Sequence, residues 1–277
     1  MSMGSTAFYV SAHVSVGVLY AVLAWVMWRS LQAGGRGDAR WFLPVLAAAH
    51  AALLASAVVD SEGIRFGFAH FLSATFLFTV LVVWAEGFLV PIRGLLVLVL
   101  PLAAVAAVLP AIFHGSQIAA TSETLAFRAH IVIALAASSL FTIAAMHALL
   151  MASMDRSLHS AGGNETALGR VLAEVPPLLA MERLLFRLIW TGFLLLTATL
   201  ISGVLFSEQL FGRALRFDHK TVFTIASWVV FAGLLVGRHF FGWRGRTALR
   251  WTLVGFVMLL LAYVGSRFVL EVILHRV

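Results

Sequence analysis

Ten histidines stand in a chain of 277 residues that is 62% hydrophobic and only 11% charged. A neutral imidazole offers a lone pair to a transition metal or to haem iron, and its charge changes near physiological pH. These histidines therefore define most of the chemistry the chain could do. Asp218, His219 and Lys220 are consecutive. They put an anion and a cation beside an imidazole, a set that could grip a ligand carrying carboxylates. The plainer reading is structural: Asp218 precedes an apolar run and can cap a helix, with Thr221 three residues on, and Lys220 can snorkel. There is no cysteine, which excludes disulfides, thiolate metal sites and covalent haem attachment through Cys-x-x-Cys-His. Nothing resembles a nucleophile–base pair, a P-loop or a zinc-protease motif, so the chain is read as a non-enzyme.

The elements that must position these residues are membrane spans. Runs of about 18 or more apolar residues, enough to cross about 30 Å of hydrocarbon, recur along the whole length. We expect an all-α polytopic membrane protein, a single transmembrane domain (1–277) of eight helices in one bundle. The spans fall near 8–28, 41–59, 67–85, 93–112, 128–152, 184–206, 219–237 and 248–273. The first residues lack a basic n-region, so the first helix is expected to be a span and not a signal peptide. HGSQIAATSET after span four reads as a polar loop. Pro176 and Pro177 suit a helix start. Leu178 to Arg187 reads as an amphipathic segment lying on the membrane and running into span six. Lys and Arg concentrate in the first loop (Arg29, Arg36, Arg40) and the seventh (Arg238, Arg244, Arg246, Arg250). The positive-inside bias then makes odd loops cytoplasmic and puts both termini outside. Loop six (Arg213, Arg216, Lys220) is the contrary case. The same bias accounts for the +7 net charge without nucleic acid. Trp25, Trp28, Trp41, Trp84, Trp243 and Trp251 all fall near the inner surface.

On this topology His13, His70, His114, His130, His219 and His275 gather at the outer face. His147, His159 and His239 lie inward, and His50 lies near mid-span. For His13, His114 and His159 the expectation is an interfacial ring among headgroups. His50 and His147 mark either function or an interhelical hydrogen bond. Gly233 and Gly237 read as a close-packing face. Ser138, Ser139 and Thr142 read as hydroxyls bonded to a neighbouring turn or helix.

Several segments carry a resemblance. FDHKTVFTIASWVVF is similar to a W-D-x-K-E-T-W…TW stretch, and GWRGRTALRWTLVGFVMLLLAYVG followed by Leu274 and His275 is similar to a last inner loop, last helix and outer histidine. His130-Ile131 with ALAASSL, and PPLLAMERLLFRLIWTGFLLLTATLISGVLFSE, resemble two further motifs of the same group. The group is the cytochrome c assembly protein family, with its CcsA, CcmC and HemX members and its YpjD branch. The resemblance covers about 125–277 and is nearest the HemX/YpjD branch; His70 stands near a counterpart of a motif histidine.

It implies haem b, bound non-covalently with His130 and His275 as the two iron ligands. Asp218 and Lys220 would line the haem edge, and His219 and His70 are further candidates. It also implies a multi-pass protein of the bacterial inner membrane, in contact with the lipid bilayer and with other cytochrome c biogenesis or haem-pathway proteins. The tryptophan-rich platform of the family is absent, with Phe206, Phe211 and Phe217 in its place, and the intramembrane histidine expected late in span seven falls near Val236. Haem binding or regulation is therefore implied more strongly than delivery. The alternative from another class is a transporter or cation-efflux-associated protein, for which His50 and His147 would be the polar groups.

The lack of native cysteine makes the topology directly testable. A membrane-impermeant maleimide should label Ser122→Cys on intact spheroplasts and Ala161→Cys only after permeabilisation. The reverse pattern would invert the orientation.

Overall fold

The computed structural model describes residues 3–33, 39–60, 63–88, 93–118, 125–158, 177–211, 218–269 and 273. His159, Pro176, Arg213, Arg216, Phe217 and His275 lie outside the described residues. The chain is all-α in architecture, with eight helices long and apolar enough to cross a membrane. They are α1 (Met3–Gln32), α2 (Leu43–Val58, entered through a 3₁₀ turn Ala39–Phe42), α3 (Phe68–Glu86), α4 (Arg93–Ile112), α5 (Leu125–Leu158), α6 (Leu178–Phe211), α7 (His219–Phe241) and α8 (Gly245–Leu260). After α8 the chain continues through a π-helical turn, Leu261–Gly265, and a last helical turn, Ser266–Phe268.

Two compact units form, residues 1–118 with 150–178, and residues 119–149 with 179–277. In the first, α1 lies along α4, α3 packs on α4, and α2 packs on α3 and α1. The α1–α4 approach is close because Gly17 has no side chain. A Cβ there would stand 2.6 Å from Val108 Cγ2 and 3.0 Å from the Ala104 carbonyl oxygen. α4 carries Pro101 and Pro110 inside it. The Pro110 carbonyl, in the last turn of α4, accepts from the Tyr9 hydroxyl of α1 at 3.3 Å.

Three short antiparallel strands close one end of this unit: β1 (Val59–Asp60), β2 (Gly63–Phe66) and β3 (Ser116–Ile118), in the order β1-β2-β3. Val59 faces Ile64, and Ile64 faces Ile118. The stretch after span four is thus partly a strand where a polar loop was expected. Strand pairing satisfies backbone groups that a loop would leave to water. Gly115 makes the turn into β3 at φ 68°; a Cβ there would press on the backbone of Gly67.

In the second unit the core is an aromatic pair. Phe141 of α5 stacks on Phe231 of α7, ring centroids 3.9 Å apart. A Cβ at Gly192 of α6 would meet the Phe141 ring at 3.2 Å, and one at Gly255 of α8 would meet Phe231 at 2.8 Å. Four helices therefore meet around two rings. Ser227 donates to the Gly255 carbonyl at 2.9 Å, tying α7 to α8 at the same level. Gly233 and Gly237 are packing positions, as expected: Trp251 covers the first and Trp243 the second. α6 starts directly after Pro177 and runs unbroken for 34 residues. The segment 178–187 runs into span six as the first part of that helix, with Met181, Leu184 and Leu185 buried and Leu179, Arg183 and Arg187 exposed.

Filling the Gly17 contact should destabilise the first unit. Gly17→Leu is expected to cost about 1–3 kcal/mol and to lower the thermal unfolding midpoint in detergent. An unchanged midpoint would show that α1 and α4 do not pack this closely.

Candidate functional site

The site is built at the end of the second unit where α5 and α7 begin. His130 lies in the second turn of α5 and is half-buried. Its Nδ1 is 2.7 Å from Ser202 Oγ on α6. The next residue of α6 is Gly203, where a Cβ would stand 3.6 Å from His130 Cε1. The imidazole thus lies on a patch of small residues. The charge of Lys220, in the first turn of α7, is near enough to act on this ring. The Lys220 ammonium also lies 5.1 Å from the centre of the Tyr263 ring, a cation–π distance.

Tyr263 reaches that position from the π-helical turn Leu261–Gly265. Such turns re-aim side chains and are frequent at functional sites. The arrangement gives an imidazole, a hydroxyl, a cation and a phenol from four helical segments of one unit. It can donate a ring lone pair and offer positive charge to a carboxylate.

Asp218 is the N-cap of α7; its carboxylate accepts from Thr221 N–H at 2.8 Å. The capping reading of Asp218 is therefore realised. His219 is exposed at the same helix start. His275 lies outside the described residues. Among the predicted site residues, His130, Asp218, His219 and Lys220 all belong to the second unit, the last three consecutive at the start of α7. Ser202 and Tyr263 were not singled out from the sequence. Ser202 looked like an ordinary helix hydroxyl. Tyr263 carried one available signal, a phenol within an otherwise apolar run.

His70 belongs to the first unit. It sits in the first turn of α3, is 1% exposed, and packs near Phe66 with ring centroids 6.2 Å apart. Both its ring nitrogens are buried without a hydrogen-bond partner. His13 is a correction. It was expected among headgroups, yet it is fully buried and its Nδ1 lies 2.8 Å from the Ala107 carbonyl oxygen of α4. The tight α1–α4 contact draws it inward. His114 is exposed, its ring stacked beside Tyr9.

His50 is buried between Tyr20 (3.4 Å to the hydroxyl) and Ser73 (2.9 Å to Oγ), so it links α2 to α1 and α3. His147 bonds to the Ile143 carbonyl of its own helix at 3.0 Å. Of the two readings left open for these residues, the interhelical hydrogen bond holds for His50. No group of three or more His, Cys, Asp or Glu that could hold a metal ion occurs among the described residues. A haem iron asks less of a protein, one or two axial lone pairs, and His130 fits one such position.

A model of the family described as Cytochrome C assembly protein matches residues 38–274. The chain belongs to that family. It is 36% identical over 144 residues to the inner membrane protein YpjD of Escherichia coli, covering 52% of each chain. It is 32% identical over 91 residues to the cytochrome c biogenesis protein CcsA of Gloeobacter violaceus, covering 33% of this chain and 27% of that one. The CcsA of Synechococcus is 33% identical over 106 residues, 37% and 34% of the two chains. The match spans about half the length of the YpjD relative and less of the CcsA proteins. No solved structure matches. His130, Ser202, Lys220 and Tyr263 all lie inside the stretch that matches the family, and His275 is the residue immediately after it.

The two readings of Asp218 separate by substitution. Asp218→Ala should cost about 1 kcal/mol through loss of the cap. Asp218→Asn keeps an oxygen acceptor and should melt like the parent protein. A loss of stability in the Asn variant would show that the charge matters there and not the cap.

Proposed function

We propose that this family member is a haem-binding protein of the bacterial inner membrane that acts in cytochrome c biogenesis or haem handling. His130 and His275 are the proposed axial ligands of a non-covalently bound haem b. When bound, that group supplies a redox-active iron and two propionate carboxylates. Lys220 would pair with a carboxylate, with the Tyr263 ring face beside its ammonium, and Asp218 and His219 would form the adjoining rim. His70 is left out of the ligand pair, since its ring belongs to the core of the first unit. Haem-pathway or cytochrome c assembly proteins are the proposed partners.

The observation that carries this reading is the held ring of His130, with the Ser202 hydroxyl on its Nδ1. A histidine ligand commonly uses one ring nitrogen for the metal and anchors the other to a neighbouring group. Protein purified from haem-replete cells should show a Soret band, and a His130→Ala/His275→Ala double variant should lose it. Protein without that band, or a band unchanged in the double variant, would sink the proposal.

A further inference from the structure

We infer that Ser202 is a positioning residue that fixes the tautomer of His130, holding the ring proton on Nδ1 and leaving the lone pair on Nε2. The inference deepens the proposed haem site and rests on that reading for its functional meaning. Its structural content stands on the Ser202 geometry alone.

A serine hydroxyl has one proton and two acceptor lone pairs. In Ser202 the hydroxyl faces two carbonyls of its own helix, Ala198 at 2.7 Å and Thr199 at 3.1 Å. Donation to those carbonyls occupies its single proton. Toward His130 Nδ1, at 2.7 Å, only the oxygen lone pairs remain. With that proton on a carbonyl, Nδ1 is the donor of the shared bond. In a neutral imidazole one nitrogen carries the proton and the other the lone pair. Nε2 then keeps the lone pair.

The position of Ser202 reinforces the choice. It stands on α6, and the ring it anchors stands on α5, so the bond also fixes the ring's rotation across two helices. At Gly203 next to it, an added Cβ would make only an ordinary contact, 3.6 Å from His130 Cε1. A longer side chain at 202 or 203 would compete for the same surface. Ser202 touches no iron and no substrate; it acts through His130.

The test uses full-length protein in lipid nanodiscs with ¹⁵N-labelled histidine. In haem-free protein at pH 8, the His130 signal, assigned by its loss in His130→Ala, should show a protonated Nδ1. In Ser202→Ala it should move toward a mixture of tautomers or to the Nε2–H form. Ser202→Thr, which keeps the hydroxyl, should restore the parent pattern. Titration with haemin should then give an affinity about 10- to 100-fold weaker for Ser202→Ala, with Ser202→Thr close to the parent. Alanine is a strong helix former, and circular dichroism checks that the variant folds.

An unchanged tautomer in Ser202→Ala would overturn the inference, even if His130→Ala abolishes haem binding and the functional reading stands. If the parent protein takes up no haem, the functional reading fails, and the haem-free spectra still decide the role of Ser202.

Discussion

Hydrocarbon offers no hydrogen-bond partners, so a polar group inside a span gains by finding one within the protein. The side-chain chemistry of this chain follows from that constraint. Most hydroxyls in the helices turn back to a carbonyl one turn earlier, as Thr79 does to Thr75, Ser139 to Leu135, Thr142 to Ser138 and Thr252 to Ala248. Such bonds are local and join nothing. A smaller set crosses between helices: His13 to Ala107, His50 to Ser73, Ser227 to Gly255, Trp228 to Thr197 and His130 to Ser202. These fix one helix against another where apolar packing alone would let it rotate. Interhelical bonds of this kind contribute about 0.6–2 kcal/mol each. Their larger effect is to set register.

The two histidine groups differ in what surrounds them. In the first unit, His13 and His50 satisfy bonds across helices and lie at the centre of the packing. Their burial reads as architecture. In the second unit, His130 is only half-buried, and the neighbouring side chains supply a hydroxyl, a cation and a phenol. That group is less buried than His13 and His50. Membership of the cytochrome c assembly family gives it a chemical context.

Much of this was legible from residue order. The eight spans follow from long apolar runs; α1, α5, α6 and α7 run past the expected limits, α4 matches them and α2 falls inside them. Asp218 with Thr221 foretold a cap, and Gly233 with Gly237 foretold a packing face. Three things were not legible. The short strands depend on a partner segment some fifty residues away, Ile64 against Ile118. The burial of His13 depends on how closely Gly17 lets α1 approach α4. Ser202 has the same local pattern as Thr197 and Thr199, which also bond to carbonyls four residues back. Only the neighbour on α5 distinguishes it. The second proposed ligand, His275, was named from the resemblance and lies outside the described residues.

α6 holds Glu182 near one end, paired with Arg238 of α7, and Ser202 near the other. Twenty residues of unbroken helix separate them, about 30 Å at 1.5 Å per residue, which is the thickness of a bilayer's hydrocarbon layer. One rod thus spans from an ion pair at one boundary to the imidazole anchor at the other. A single inserted residue between them would turn Ser202 by about 100° relative to Glu182, so the spacing is a phase as well as a length. A bilayer thicker or thinner than that span would be met by tilt of the same rod, which would carry the ion pair and the imidazole anchor together.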